Sequence, residues 1–308
     1  MKDVVIGIDF GGTTIKFGII TKTGKILKKW AVSTPVHSEP SKVIELLSLQ
    51  IKQAIKGTYN LLGVGIGIPG SVRPKTLRVY DCNNLGWYGD VDIVNPLSKN
   101  LNIPVIIEND ANAAAMGEQW KGSLQRADIL YVTLGTGVGS GIIINNQLIH
   151  GATGAAGELG HVIVNPNGKK CTCGNRGCLE TVSSATGIVN TYEAKAQDHA
   201  YQVTAKMIFD QAKRNCPIAV EVIDDACDYL GLAIANVINL LNLQEVIIGG
   251  GVSAAGEYLR LRVEKAMNKY LYSSNQGLTE VKLAVLGNDA GILGVAKLIL
   301  DRIVSLPL

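Results

Sequence analysis

The chain has 308 residues, of which 47% are apolar and 18% charged, with a net charge of +3. The length exceeds the roughly 100–200 residues of a single domain and points to two, and the composition excludes a long disordered tail. Scattered basic residues and few aromatics exclude a nucleic-acid partner. No run of about 18 apolar residues could span a membrane, and Met1-Lys2-Asp3 leads straight into an apolar strand rather than an export signal, so the expectation is a soluble cytoplasmic protein.

Val4 to Ile8 is a β-branched run that meets Asp9-Phe10-Gly11-Gly12-Thr13-Thr14, and the apolar pattern returns at Ile15 to Ile20. This predicts a strand, a glycine turn and a returning strand. Gly11 and Gly12 admit a backbone approach too close for a Cβ, Thr13 and Thr14 bring hydroxyls, and Lys16 brings a charge. Such a turn can wrap a phosphate, although an ordinary hairpin has the same signature. Ser41 to Ile55 carries apolar residues at helical spacing, and Leu61 to Ile68 is another strand. It ends in Gly65-x-Gly67-x-Pro69-Gly70, which matches the dinucleotide pattern in form only, because no helix start follows. Pro69-Gly70 is therefore read as a tight turn at a sheet edge, at the mouth of a cleft. The Asn83-Asn84-Leu85-Gly86-Trp87 loop suits a polyhydroxylated ligand or a plain surface turn equally.

Pro104 to Ile107 is a buried strand leading to Glu108-Asn109-Asp110, and Ala111 to Trp120 is a strong helix. Asp110 at that junction can act as N-cap, as an ionised proton acceptor, or as both. Ile129 to Leu134 then closes on Gly135-Thr136-Gly137-Val138-Gly139 before the chain returns at Ile142 to Ile144. This repeats the opening design about 125 residues on and argues for a duplicated α/β domain pair with a phosphate clasp in each half. No P-loop sequence occurs.

Next come Gly157-Glu158-Leu159-Gly160-His161 and then Cys171-x-Cys173-Gly-x-x-Gly-Cys178-x-Glu180. Three of the six cysteines and one of the four histidines crowd this loop. His161, Cys171, Cys173 and Cys178 make a zinc site of structural character, because three thiolates and an imidazole leave no open position. A disulfide framework is the weaker alternative, since Cys82, Cys216 and Cys227 are scattered. The metal would shape a loop that presents Glu158 and Glu180. Helical patterns follow at Thr181 to Asn190, Val203 to Asn215 and Asp225 to Leu241. A strand at Val246 to Ile248 runs into Gly249-Gly250-Gly251, a bare surface suited to a base or ribose. Val281 to Leu286 is a last strand and Ala290 to Ile303 a closing helix.

Six motifs in register, Asp9-Phe-Gly-Gly-Thr13, Glu108-Asn-Asp110, Leu134-Gly-Thr-Gly137, Gly157-Glu-Leu-Gly-His161, the cysteine run to Glu180, and Gly249-Gly-Gly251, resemble the ROK family of sugar kinases, most closely its bacterial glucokinases. The resemblance implies a duplicated hexokinase and actin-like α/β fold of two domains around a cleft. Residues 1–110 would form the smaller domain, to which a helix at 290–308 returns, and 111–289 the larger one with the zinc loop. It implies Asp110 as catalytic base. Gly70, Asn84, Asn109, Asp110, Glu158, His161 and Glu180 would contact the sugar, and His161, Cys171, Cys173 and Cys178 would hold zinc. Asp9, Gly11, Gly12, Thr13, Thr14, Lys16, Gly135, Thr136 and Gly137 would handle ATP phosphates and Mg2+, with Gly249, Gly250 and Gly251 flanking the adenosine. The reaction expected is transfer of the ATP γ-phosphate to the 6-hydroxyl of glucose, by a homo-oligomer, dimer or tetramer. Kinases of N-acetylglucosamine, N-acetylmannosamine or fructose share these motifs. Sugar-sensing repressors do too, but resemble a kinase body with a DNA-reading domain in front, for which a strand starting at residue 4 leaves no room.

Overall fold

The apolar runs of the first 110 residues are short, β-branched and buried on both faces, which is the pattern of a sheet covered by helices. The computed structural model describes residues 1–82, 85–122, 126–196 and 203–305. Its first eight strands are β1 (Lys2–Phe10), β2 (Thr14–Thr21), β3 (Ile26–Ser33), β4 (Tyr59–Ile68), β5 (Ser71–Arg73), β6 (Arg78–Cys82), β7 (Trp87–Val91) and β8 (Val105–Asn109). Five of them form a sheet of order β3-β2-β1-β4-β8, and β5, β6 and β7 form a small separate one. β1 and β2 are antiparallel with Asp9 opposite Lys16, while β1, β4 and β8 run parallel. Helix α1 (Pro40–Ile55) connects β3 to β4 and buries Val43, Ile44, Leu47 and Ile51. The helices α2 (Val94–Leu101) and α3 (Asp110–Lys121) flank β8 in sequence.

The second half repeats this plan. It comprises β9 (Ile129–Leu134), β10 (Val138–Ile144), β11 (Gln147–Leu148), α4 (Glu180–Ser183), α5 (Ala185–Ala196), α6 (Ala205–Lys213), α7 (Pro217–Leu241), β12 (Glu245–Gly249), α8 (Glu257–Tyr270), β13 (Glu280–Leu283) and α9 (Ala290–Ser305). The sheet order β11-β10-β9-β12-β13 matches the first sheet strand for strand. The first pair is antiparallel here too, with β9, β12 and β13 parallel. The duplication expected from two glycine turns is thus a duplication of whole sheets. Helix α7 begins at Pro217, eight residues before the apolar periodicity becomes plain, because exposed Glu221, Asp224 and Asp225 interrupt the pattern while Pro217 supplies the start.

Two compact units result, one of Met1–Gln125, Leu148–Ala156 and Asn288–Leu308, the other of Arg126–Gln147 and Gly157–Gly287. The boundary expected after residue 110 falls instead at 125, because α3 packs with α9. A β-carbon at Gly117 would lie 2.0 Å from the Ala290 carbonyl oxygen, and one at Gly294 would lie 1.6 Å from that of Ala113. The helices therefore cross backbone against backbone, which only glycine permits. Helix α9 also lies on the first sheet, where β-carbons at Gly7 and Gly65 would sit 2.1 Å and 2.2 Å from the carbonyl oxygens of Ile292 and Val295. Gly65 thus serves helix packing, and β4 lies between β1 and β8. Pro69-Gly70 therefore ends an interior strand, not an edge strand as the sequence suggests.

Candidate active site and metal centre

The β1–β2 turn in the first unit is shaped by its own backbone. Gly11 N–H donates to the Thr14 carbonyl at 3.0 Å, and Thr34 ties the loop down by donating its hydroxyl to the Gly11 carbonyl (2.7 Å) and its N–H to the Thr13 carbonyl (2.9 Å). A β-carbon at Gly11 would meet the Thr14 carbonyl, but one at Gly12 would meet nothing within 4 Å. Gly12, Thr13 and Thr14 are exposed. Lys16 Nζ is 3.3 Å from both Asp9 Oδ2 and Asn288 Oδ1, and Gly291 at the start of α9 leaves room for the Asp9 carboxylate. Sequence reading misses Thr34, Asn288 and Gly291, which lie far along the chain from the turn and carry no local signal.

Asn109, not Asp110, is the N-cap of α3. Its Oδ1 accepts from Ala111 N–H (2.9 Å) and Asn112 N–H (3.1 Å), and its Nδ2 donates to the Gly70 carbonyl (3.1 Å). An amide does the capping, so Asp110 is the first helical residue and its carboxylate accepts from Ala111 N–H at 2.8 Å. Helix-end N–H groups favour the ionised form. Behind this corner Glu108 is buried. It accepts from Asn109 N–H (2.9 Å) and Asn112 Nδ2 (3.0 Å), and its other oxygen is 2.7 Å from His150 Nε2. The Cys82 thiol donates to the Pro69 carbonyl, and burial, with the Asp110 charge nearby, pushes it up to about 11. Gly70 and Asn109 are therefore joined, whereas Asn84 lies outside the described residues.

In the second unit the four expected ligands converge, with their donor atoms all within 4.8 Å of one another. Cys171 Sγ is 3.7 Å from His161 Nδ1, and Cys173 Sγ is 3.6 Å from Cys178 Sγ. Ligands at zinc's usual bond lengths on a tetrahedron are about 3.5–3.8 Å apart, so these two pairs already stand at that spacing and the set as a whole fits this ion with small side-chain adjustments. The loop can close because Gly177, at φ 72°, lies where a β-carbon would fall 1.5 Å from the Asn165 carbonyl oxygen. Burial drives the Cys178 thiol up to about 12 and raises that of Cys171, while a backbone N–H at Asn175 lowers that of Cys173. Buried thiols of this kind become thiolates against a cation.

Glu180 opens α4 directly after the last cysteine. Its Oε1 is 3.3 Å from Cys171 Sγ, and its Oε2 lies where a β-carbon on Gly137 would come within 2.7 Å. The glycine turn after β9 and the metal loop therefore meet at one carboxylate. Glu158 is exposed at the start of a single helical turn ending in His161, and the Ser140 hydroxyl donates to the Gly157 carbonyl.

A cavity of about 340 Å³ opens beside that turn, lined by Gly135, Thr136, Ala185, Phe209, Lys213, Gly251 and Ala255 among others. Phe209 and Lys213 come from α6, whose sequence looks like an ordinary amphipathic helix. Of the three glycines that end and follow β12, two answer to packing. A β-carbon at Gly249 would meet the Tyr131 hydroxyl and one at Gly250 the backbone of Leu134, whereas Gly251 faces open space. No described helix is long and apolar enough to cross a membrane.

Residues 5–302 match the ROK family. The chain is 39% identical to a glucokinase of Halalkalibacterium halodurans, over 94% of this chain and 92% of that one. It is 38% identical to a glucokinase of Thermotoga maritima, over 97% and 98%. Among solved structures it is similar to a ROK family glucokinase from Streptomyces griseus in complex with glucose and AMPPNP. That match has a TM-score of 0.80 and 32% identity, and covers 96% of this chain and 98% of that one.

Proposed function

The chain belongs to the ROK family, and we propose that it is an ATP-dependent glucokinase that makes glucose 6-phosphate. The observation that carries this is the meeting of Glu180 with Gly137. A carboxylate suited to sugar hydroxyls stands against a turn suited to phosphate, so a polyol and a phosphoryl group can be held side by side. The full-length similarity to glucokinases supports glucose as that polyol.

Asp110 accepts the proton of the 6-hydroxyl as its oxygen bonds to the γ-phosphorus, and the bond from that phosphorus to the β,γ-bridging oxygen breaks to release ADP. Asn109 keeps its cap and offers the second N–H of its amide to a hydroxyl. Glu158 and Glu180 accept from ring hydroxyls, and His161 turns Nδ1 to the cysteine cluster and Nε2 to the sugar. A missing or inverted hydroxyl would leave one of these groups unpaired, which is the source of discrimination. Gly12, Gly135 and Gly251, which no protein atom obliges to be glycine, leave their backbone bare for phosphates and adenosine. The cavity beside Phe209 and Lys213 takes the base. Asp9, with Lys16, stands at the phosphate turn as the carboxylate for Mg2+, which would offset phosphate charge. Zinc at His161, Cys171, Cys173 and Cys178 would fix the loop that carries Glu180, with no part in the chemistry. A cytoplasmic location and a homo-oligomer, dimer or tetramer, belong to the same reading, and sedimentation reads the subunit count.

The test is ADP release from Mg-ATP measured side by side with glucose, mannose, fructose, N-acetylglucosamine and N-acetylmannosamine. A kcat/KM for glucose well above the others is expected. Preference for an acetamido sugar would replace the substrate, and silence with all five would overturn the glucokinase reading in favour of another substrate, another phosphoryl donor or a sugar sensor.

A further inference from the structure

Glu108 belongs neither to the phosphate turn nor to the sugar contacts, yet it is a buried carboxylate one residue from Asn109 and two from Asp110. One of its oxygens fastens Asn109 N–H and Asn112 Nδ2, and the other meets His150 Nε2 at 2.7 Å. His150 reaches this place on a segment built to hold it. The Ala156 N–H donates to the His150 carbonyl at 3.2 Å, and Gly154, at φ 92°, lies so close to β5 that a β-carbon would fall 1.9 Å from the Val72 carbonyl oxygen. The imidazole is thus presented by a turn that packs against β5 within the first unit.

We propose that His150 is a positioning residue for phosphoryl transfer: acting through Glu108 it holds the corner from which Asp110 works, and it does so in its protonated form. A buried carboxylate tolerates its charge only when paired and hydrogen-bonded. With the imidazolium in place Glu108 is balanced and its oxygens stay aimed at Asn109 and Asn112. Without that charge a carboxylate held only by neutral donors, its charge unbalanced, stands two residues from Asp110. The groups to be weighed are Glu108 on β8, Asp110 at the start of α3, the Cys82 thiol on β6, and Arg73 on β5, which is 3.6 Å from Asp90. Among them Glu108 is the partner in contact. It raises the His150 imidazole above its ordinary 6.5, against a smaller opposing effect of burial. The sign follows. The ion pair is complete below about pH 6.5 and is lost as pH rises through the raised value, so its contribution to stability and to turnover falls on the alkaline side.

The role rests on the glucokinase reading, and the experiment separates the two. Imidazole titrations by NMR on the full chain, for wild type and Glu108→Gln, run beside kcat and KM for glucose across pH 6–9 for wild type, His150→Gln and His150→Leu. In wild type one imidazole should titrate above 6.5 and move back toward it in Glu108→Gln. Its titration should coincide with an alkaline fall in kcat, with the glucose KM nearly constant. His150→Gln keeps a neutral donor, so it should fold, retain more activity than His150→Leu and lack the alkaline fall. His150→Leu should lose about tenfold in kcat, the scale of a slightly misplaced catalytic group. An active wild type whose kcat and pH profile both variants share overturns the positioning role alone, as does a wild-type imidazole unaffected by Glu108→Gln. Inactivity of wild type toward every sugar overturns the glucokinase reading and the role together.

Discussion

Glu180 and Gly137 touch so closely that a single methyl group on Gly137 would lie within 2.7 Å of the Glu180 carboxylate. Gly137 closes the turn after β9, where Gly135 N–H donates to its carbonyl at 3.0 Å. Gly137→Ala should therefore displace Glu180 rather than unfold the sheet. A glucose KM raised about tenfold, with the melting temperature nearly unchanged, is the expected result, since one displaced polar contact costs on that scale. Unchanged steady-state kinetics would show that the carboxylate does not hold sugar.

Asp110→Asn removes the proton acceptor and leaves the Asn109 cap intact. Glucose binding measured by calorimetry and zinc content should persist, while turnover nearly vanishes. A residual rate above about a tenth of wild type, a loss of only ~1.4 kcal/mol, would remove Asp110 from the base role.

Cys173→Ser breaks the ligand set at its exposed corner. The metal content should drop from about one zinc per chain to well below it, and the glucose KM should rise because the loop carrying Glu180 loosens. Full occupancy in this variant, measured by elemental analysis after dialysis, would contradict the ligand assignment.

Gly12 and Gly65 make a paired test of why glycine stands where it does. A β-carbon at Gly12 meets nothing, whereas one at Gly65 meets the Val295 carbonyl at 2.2 Å. Gly65→Ala should cost about 3 kcal/mol in denaturant unfolding through the displacement of α9. Gly12→Ala should stay within about 0.5 kcal/mol of wild type and instead raise the KM for ATP. Equal destabilisation by the two would mean that the Gly12 turn is a packing feature.

Gly294→Ala probes the contact that assigns α3 to the first unit. Its β-carbon would fall 1.6 Å from the Ala113 carbonyl oxygen, with backbone on the other side that cannot rotate away. A loss of about 3 kcal/mol or more and a lower melting temperature are expected. A variant as stable as wild type would show that the two helices can separate without cost.

Local chemistry made much of this protein legible from its sequence. Short β-branched runs marked the strands, the two glycine turns marked a duplication, and the spacing of Cys171, Cys173 and Cys178 below His161 marked a metal loop, because each depends on residues near one another in the chain. Distances through space decided the rest. The sequence suggests Asp110 as the cap of α3, and only the path of the backbone into the helix gave that role to its neighbour Asn109. Gly65 matches a nucleotide motif in form only, and nothing local marks it as the landing place for α9, some 230 residues later. The bond from Glu108 to His150 spans 42 residues and left no mark in either local pattern. A sequence records propensity and short-range spacing, whereas the partner of a buried charge and the helix that covers a glycine are fixed only when the chain closes on itself.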